Sequence, residues 1–149
     1  EYIKKKNSPT IYKRRFLDNV SKNKLLGVVY RYKNISKKRK DISPISEYLQ
    51  VSSQKYKKND SINPHVHLKN KRITLSTQET WIVLKGRLSV KIFDIDKKKI
   101  KNFILNKGDV YILFRGGHSL KVLSNNTEFY EIKNGPYKKK IKDIEYLKY

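Results

Sequence analysis

RLSVKIFD, residues 87–94, is the stretch whose reading decides the fold. Leu88, Val90 and Ile92 fall on one side of an extended chain, and Arg87, Ser89 and Lys91 on the other. Successive side chains of a strand point to opposite faces, so this alternation predicts a strand with one buried and one wet face. ETWIVL (79–84) precedes it through Lys85-Gly86, and Gly86 supplies the positive φ that a tight hairpin requires. Downstream come KIKNFIL (99–105), a turn at NKGD (106–109), VYILF (110–114), HSLKVLS (118–124), a turn at Asn125-Asn126 and TEFYEIK (127–133). Asn134-Gly135-Pro136 closes the series. Upstream, GVVYRYKNI (27–35) and EYLQVSSQKY (47–56) are further strand candidates. YKRRFLDNV (12–20) and KDIEYLKY (142–149) are the only helix candidates. Short strands with turns between them at roughly 8–12-residue spacing predict an all-β sandwich or closed barrel.

Composition sets limits. The chain has 149 residues, which suggests one domain, and 37% of them are hydrophobic, enough to supply a core. Without cysteine there is no disulfide framework and no thiolate metal site. The longest strongly apolar run, LLGVVY (25–30), is far short of the roughly 20 residues needed to span a bilayer. The first residues lack the apolar stretch of a secretory signal, which leads to the expectation of a soluble cytoplasmic protein. The formal charge of +23 invites a nucleic-acid reading. The chain has no alanine, however, and is rich in lysine, isoleucine, asparagine and tyrosine, the residues of A/T-rich codons. Its lysine runs, such as SKKRK (36–40) and DKKKIK (96–101), lie by turns or termini. The basic character is read as compositional, and no specific nucleic-acid partner is expected.

The chemistry-bearing residues are sparse. The chain has three histidines, and two of them stand together in NPHVHLKN (63–70). On a strand, His65 and His67 would share a face about 7 Å apart, after a proline at a position that suits a strand start. They are either a pair of metal ligands or two polar residues. Glu79 opens one predicted strand, and His118 opens another after Arg115-Gly116-Gly117. Three imidazoles and a carboxylate, each at a strand start, suit iron, manganese, zinc, nickel or copper. Alternation also offers Trp81, on the face of Glu79, as a ring to stack on a sugar or as core. Arg115 could hold a phosphate or carboxylate, and Gln50 could line a cavity. Of Tyr130 and Glu131, on opposite faces of one strand, at most one enters the interior.

These residues resemble the cupin superfamily. Its first motif, G-x5-H-x-H-x(3–4)-E-x6-G, is matched by Asn59, His65, His67, Glu79 and Gly86. Asn59 stands for the first glycine and tolerates left-handed geometry. Its second motif, G-x5-P-x-G-x2-H-x3-N, is matched by Gly108-Asp109, Phe114, Gly116 and His118. Eleven residues, LKNKRITLSTQ, separate His67 from Glu79 where the family has three or four. Phe114 replaces proline, His118 arrives one residue early and Val122 replaces asparagine. The tail FYEIKNGPY (129–137) is similar to WbuC-like cupin-fold metalloproteins of bacterial surface-polysaccharide gene clusters.

The resemblance implies a double-stranded β-helix, a jelly-roll barrel, over residues 47–137. Residues 1–46 would be an N-terminal extension with one or two strands packing on the barrel, and 138–149 a basic tail. It implies a divalent transition metal (Fe, Mn, Zn or Ni) held by His65, His67, Glu79 and His118. The implied function is to act on or bind a sugar or nucleotide-sugar in polysaccharide biosynthesis, with isomerase- or epimerase-like chemistry. A non-catalytic sugar- or small-acid-binding cupin and an iron-dependent dioxygenase are the alternatives. If all three histidines are ligands, proton transfer falls to a metal-bound water, Glu131 or a tyrosine. Trp81, Arg115, Gln50 and Tyr130 are the candidate substrate contacts. Ile82, Leu84 and Leu113, read as outward-facing, suggest a homodimer.

Overall fold

LLGVVY and RLSVKIF, the first apolar almost throughout and the second alternating, take different places in the fold, and burial explains both. The computed structural model describes residues 10–13, 24–137, 139 and 143–148. In it, β1 (Thr10–Lys13) pairs with β2 (Leu25–Tyr30). A 3-10 turn at Tyr32–Asn34 then leads into β3 (Arg39–Asp41), β4 (Ser52–Gln54) and a long irregular stretch. The remaining strands follow closely: β5 (Glu79–Lys85), β6 (Arg87–Phe93), β7 (Lys99–Asn106), β8 (Val110–Leu113), β9 (Gly117–Val122) and β10 (Glu128–Lys133).

All pairings are antiparallel. They form a five-stranded sheet in the order β1-β2-β8-β5-β10, a three-stranded sheet in the order β7-β6-β9, and the hairpin β3-β4. The two larger sheets face each other across one core, built from Val29, Trp81, Val83, Leu88, Val90, Ile92, Leu105 and Tyr111. A second cluster lies on the far face of the five-stranded sheet. There Val28, Tyr30, Ile112 and Phe114 pack against Ile42, Ile35 and Val51 from the β3-β4 region. β2 is therefore covered on both faces, which is why its sequence is a near-continuous apolar run. β6 is covered on one face only. Leu88, Val90 and Ile92 are 0–1% exposed, each stabilising by about 1.5–3 kcal/mol, while Ser89 and Lys91 face outward.

The alternation at 79–133 thus gives the strands it predicts, within about two residues at each end. Elsewhere the structure differs. The described strands form an all-β, antiparallel sandwich, and no closed barrel is found among them. In EYLQVSSQKY only Ser52–Gln54 is strand, because residues 44–49 are taken into turns, with Glu47 N–H donating to Pro44 O. Of the first helix candidate, residues 12–13 belong to β1 and 14–20 lie outside the described residues. Of the second, Asp143 is helical, residues 144–148 are irregular, and 142 and 149 lie outside the described residues. Leu113 faces the interior rather than solvent, because it shares the face of Tyr111 on β8. No helix among the described residues is long and apolar enough to cross a membrane.

Two turn residues behave as their sequence positions require. Gly86 has φ +76°, and a side chain there would strike the Thr127 and Ser124 hydroxyls. Asn59, at the place of a motif glycine, has φ +72°.

Candidate functional site: an acid–base cluster at one end of the sandwich

The strand starts bring chemistry together at one end of the sandwich. β5 begins with Glu79, whose cross-strand partner on β10 is Lys133. On the facing sheet, Ile92 pairs with His118 near the start of β9. The result places His118 Nε2 3.7 Å from Glu79 Oε2, just outside hydrogen-bond length. The His118 ring stacks on Trp81, with centroids 4.5 Å apart and planes 20° from parallel, and Tyr111 stands 6.1 Å away.

Glu79 and Glu131 are bridged from two sides. The Trp81 indole N–H donates to Glu79 Oε1 at 2.5 Å and lies 3.2 Å from Glu131 Oε2. The Lys133 ammonium lies 3.3 Å from Glu79 Oε2 and 2.8 Å from Glu131 Oε1. Two carboxylates so close cannot both ionise freely. Burial raises Glu79 first, and the hydrogen bond and charge of Glu131 raise it further, to about 7 in spite of Lys133. Burial also acts to raise Glu131, but hydrogen bonds from Lys133, Glu79 and Trp81 outweigh it and leave Glu131 below its ordinary value. Lys133 is raised: burial opposes its charge, and its contacts with Glu131 and Glu79 prevail.

His118 goes the other way. Burial lowers it to about 4, with Lys133 adding to the effect and Glu131 opposing it. It is therefore neutral at pH 7, and its contact with Glu79 is not an ion pair. Its Nδ1 is buried without a hydrogen-bond partner among the described residues. A neutral imidazole thus faces a carboxyl group that holds its proton well above the ordinary carboxylate range.

The rim of this end is fixed by polar contacts. Gln78, 1% exposed, faces away from the cluster and is fully engaged. Its backbone N–H donates to Asn134 Oδ1, its Nε2 to Glu47 Oε2, and its Oε1 accepts from Leu49 N–H. Residues 143–148 cross the same end. Thr77 Oγ1 donates to Asp143 Oδ1 at 2.8 Å, and Lys97 meets Glu145 at 2.5 Å. Leu147 packs at Gly117, where a Cβ would lie 3.0 Å from its Cδ1.

Of the residues expected from sequence, the structure brings together Glu79, His118 and Trp81. Trp81 is 3% exposed, with His118 on its face, and so serves as core and as hydrogen-bond donor. His65 and His67 lie in irregular, exposed chain between β4 and β5, their rings 5.2 Å apart, and His65 Nδ1 contacts Asn63 O. Among the described residues no three His, Asp or Glu side chains gather as a metal site. In this arrangement the four residues do not fit a single ion. Two of them stand elsewhere, and the Lys133 ammonium already lies against Glu79.

Arg115 is held inward by Glu47, at 2.8 and 2.9 Å to its two oxygens, and by the Leu25 carbonyl. Gln50 caps the 44–47 turn by donating to the Pro44 and Glu47 carbonyls. Tyr130 is 61% exposed on the outer face, opposite Ile82. Lys133 and Tyr111 are members of the cluster that the sequence reading did not single out. The signal for Lys133 was present: Phe129 is an inward-facing residue of β10, and period 2 carries that face to Glu131 and Lys133.

No protein-family model, curated protein or solved structure matches this chain.

Proposed function

We propose that the Glu79–His118 cluster is a small-molecule site that takes a sugar or nucleotide-sugar and moves a proton on it, as an isomerase or epimerase does. The observation that carries this reading is the placement of the Glu79 carboxyl, bridged to Glu131 through Trp81, against the buried His118 imidazole at one end of the β-sandwich. The order of Glu79, Gly86, Gly108-Asp109 and His118 along the chain supports a cupin-type jelly roll as the origin of that sandwich. The sugar class rests on the resemblance of the FYEIKNGPY tail.

The chemistry follows from the two protonation states. At neutral pH both forms of Glu79 are populated. The ionised form takes a proton from a carbon beside a carbonyl. The protonated form returns it to the neighbouring atom on the same face, as isomerisation requires. His118 Nε2 accepts a hydrogen bond from a ligand hydroxyl, because burial keeps the ring neutral. Lys133, about one-third exposed, supplies positive charge for the developing enolate oxygen.

A second reading, a non-catalytic binder of a small acid, draws on the same Lys133, an ammonium that reaches solvent beside the cluster. The two are separated by incubating the protein with 4-keto-sugar nucleotides in D2O and following the carbon-bound protons by NMR. Deuterium incorporation that is lost in Glu79→Gln supports proton transfer. Saturable binding without exchange selects the non-catalytic reading, and neither binding nor exchange overturns both.

A further inference from the structure

The chain carries two unfilled features that complement each other. The first is the segment between the Lys57–Asp60 turn and β5. Ile62, Val66, Leu68, Ile73 and Leu75 are 60–83% exposed there, an unusual run of aliphatic side chains for one surface segment. The stretch is tied at its ends, by Asp60 N–H to Lys57 O and by Asn134 Nδ2 to Ser76 O. In between, residues 61–75 join none of the described sheets. Its 64–68 portion reads Pro-His-Val-His-Leu, an alternating sequence with proline where a strand can begin.

The second feature is β9. It is the outer strand of the three-stranded sheet and, among the described residues, pairs with β6 alone. Leu120 and Val122 lie opposite Val90 and Leu88, which are fully buried, and so point to the same interior face. Yet they are 37% and 50% exposed. An inward-facing aliphatic left this open at a sheet edge indicates a missing neighbour strand.

We infer that residues 61–75 of one copy of this chain add as a strand to the β9 edge of a second copy, and that the exchange is reciprocal. Every copy bears both the arm and the edge, so a two-fold axis satisfies both and leaves no open end. The reach is adequate, since fifteen extended residues span about 50 Å. The charges also bear on it: the arm carries Lys69, Lys71 and Arg72, and β10 presents Glu128, 60% exposed and in only a loose 3.7 Å ion pair with Lys85. Within one chain, the arm's aliphatics lie in solvent. β9 starts beside His118, so the incoming arm lands next to the acid–base cluster. The inference stands whether or not that cluster handles a sugar.

The test exploits a chain without cysteine. In the full-length protein, Leu68→Cys is combined with Leu120→Cys or with Val122→Cys and oxidised under native conditions. The expected result is a disulfide-linked dimer in at least one pair, reversed by reductant. Light scattering of the unsubstituted chain should give twice the chain mass. Val122→Lys should return it to one chain mass with the emission of Trp81, the only tryptophan, unchanged. A single-chain mass for the unsubstituted protein at all concentrations would overturn the inference, as would a cross-link confined within one chain. A dimer that cross-links at neither position equally overturns it, because another face then joins the copies.

Discussion

The start of β9 and the segment at 63–68 are alike as sequence and opposite as structure. Both set histidine among alternating residues, His118-Ser119-Leu120 in one and His65-Val66-His67 in the other. His118 lies opposite Ile92 in a ladder and stacks on Trp81, so burial depresses its basicity and orients its ring. His65 and His67 pair with no described strand, and their rings remain in solvent. Alternation specifies which face a residue would take on a strand. A strand forms only where a neighbouring edge accepts its backbone groups.

The largest effect expected from this contrast is on stability. Trp81→Ala should cost about 3–5 kcal/mol in urea unfolding, through the cavity it leaves and the indole N–H it withdraws from two carboxylates. Leu75→Ala, measured at dilutions where any association is lost, should stay within about 0.5 kcal/mol. A comparable cost at both sites would erase the distinction between the regions.

Arg115→Ala comes next, at roughly 3 kcal/mol, because it strands the mostly buried Glu47 carboxylate. Glu47→Gln together with Arg115→Ala should recover part of that loss, which a double-mutant cycle by denaturation would measure. No recovery would mean that Arg115 acts through packing alone.

A smaller effect concerns pH. Folded Glu79 keeps its proton up to about 7, while the unfolded chain releases it near 4.5, so this group's contribution to stability falls as pH rises from 4.5 to 7. Folded His118 stays neutral down to about 4, while the unfolded chain protonates near 6.5, so its contribution falls as pH drops from 6.5 to 4. The two slopes oppose each other and largely cancel in the unsubstituted protein. Glu79→Gln should expose the histidine slope, with stability rising by up to about 1.4 kcal/mol per pH unit across that window. A flat profile in Glu79→Gln would contradict the buried, neutral state of His118.

The sandwich was legible because its signals are local. RLSVKIF shows its buried face in three aliphatics, and Gly86 and Asn59 mark positive-φ turns that the structure contains. The site was partly legible. Glu79 and His118 announced themselves as polar residues at strand starts, and β10 could have yielded Lys133 by counting in twos from Phe129. What sequence could not supply was which strands pair and in what register, which places Lys133 rather than His65 and His67 against Glu79. Arg115 and Gln50 looked free for a ligand because Glu47 and Pro44 lie in turns that no periodicity reveals, and the Leu25 carbonyl lies at the start of a strand distant in sequence.

The most direct test of the acid–base cluster is a titration of the Glu79 side-chain carboxyl carbon by 13C NMR, assigned through Glu79→Gln. A midpoint near 7 that moves down in Glu131→Gln is the expected result. A midpoint in the ordinary range near 4.5, unmoved by Glu131→Gln, would contradict the account.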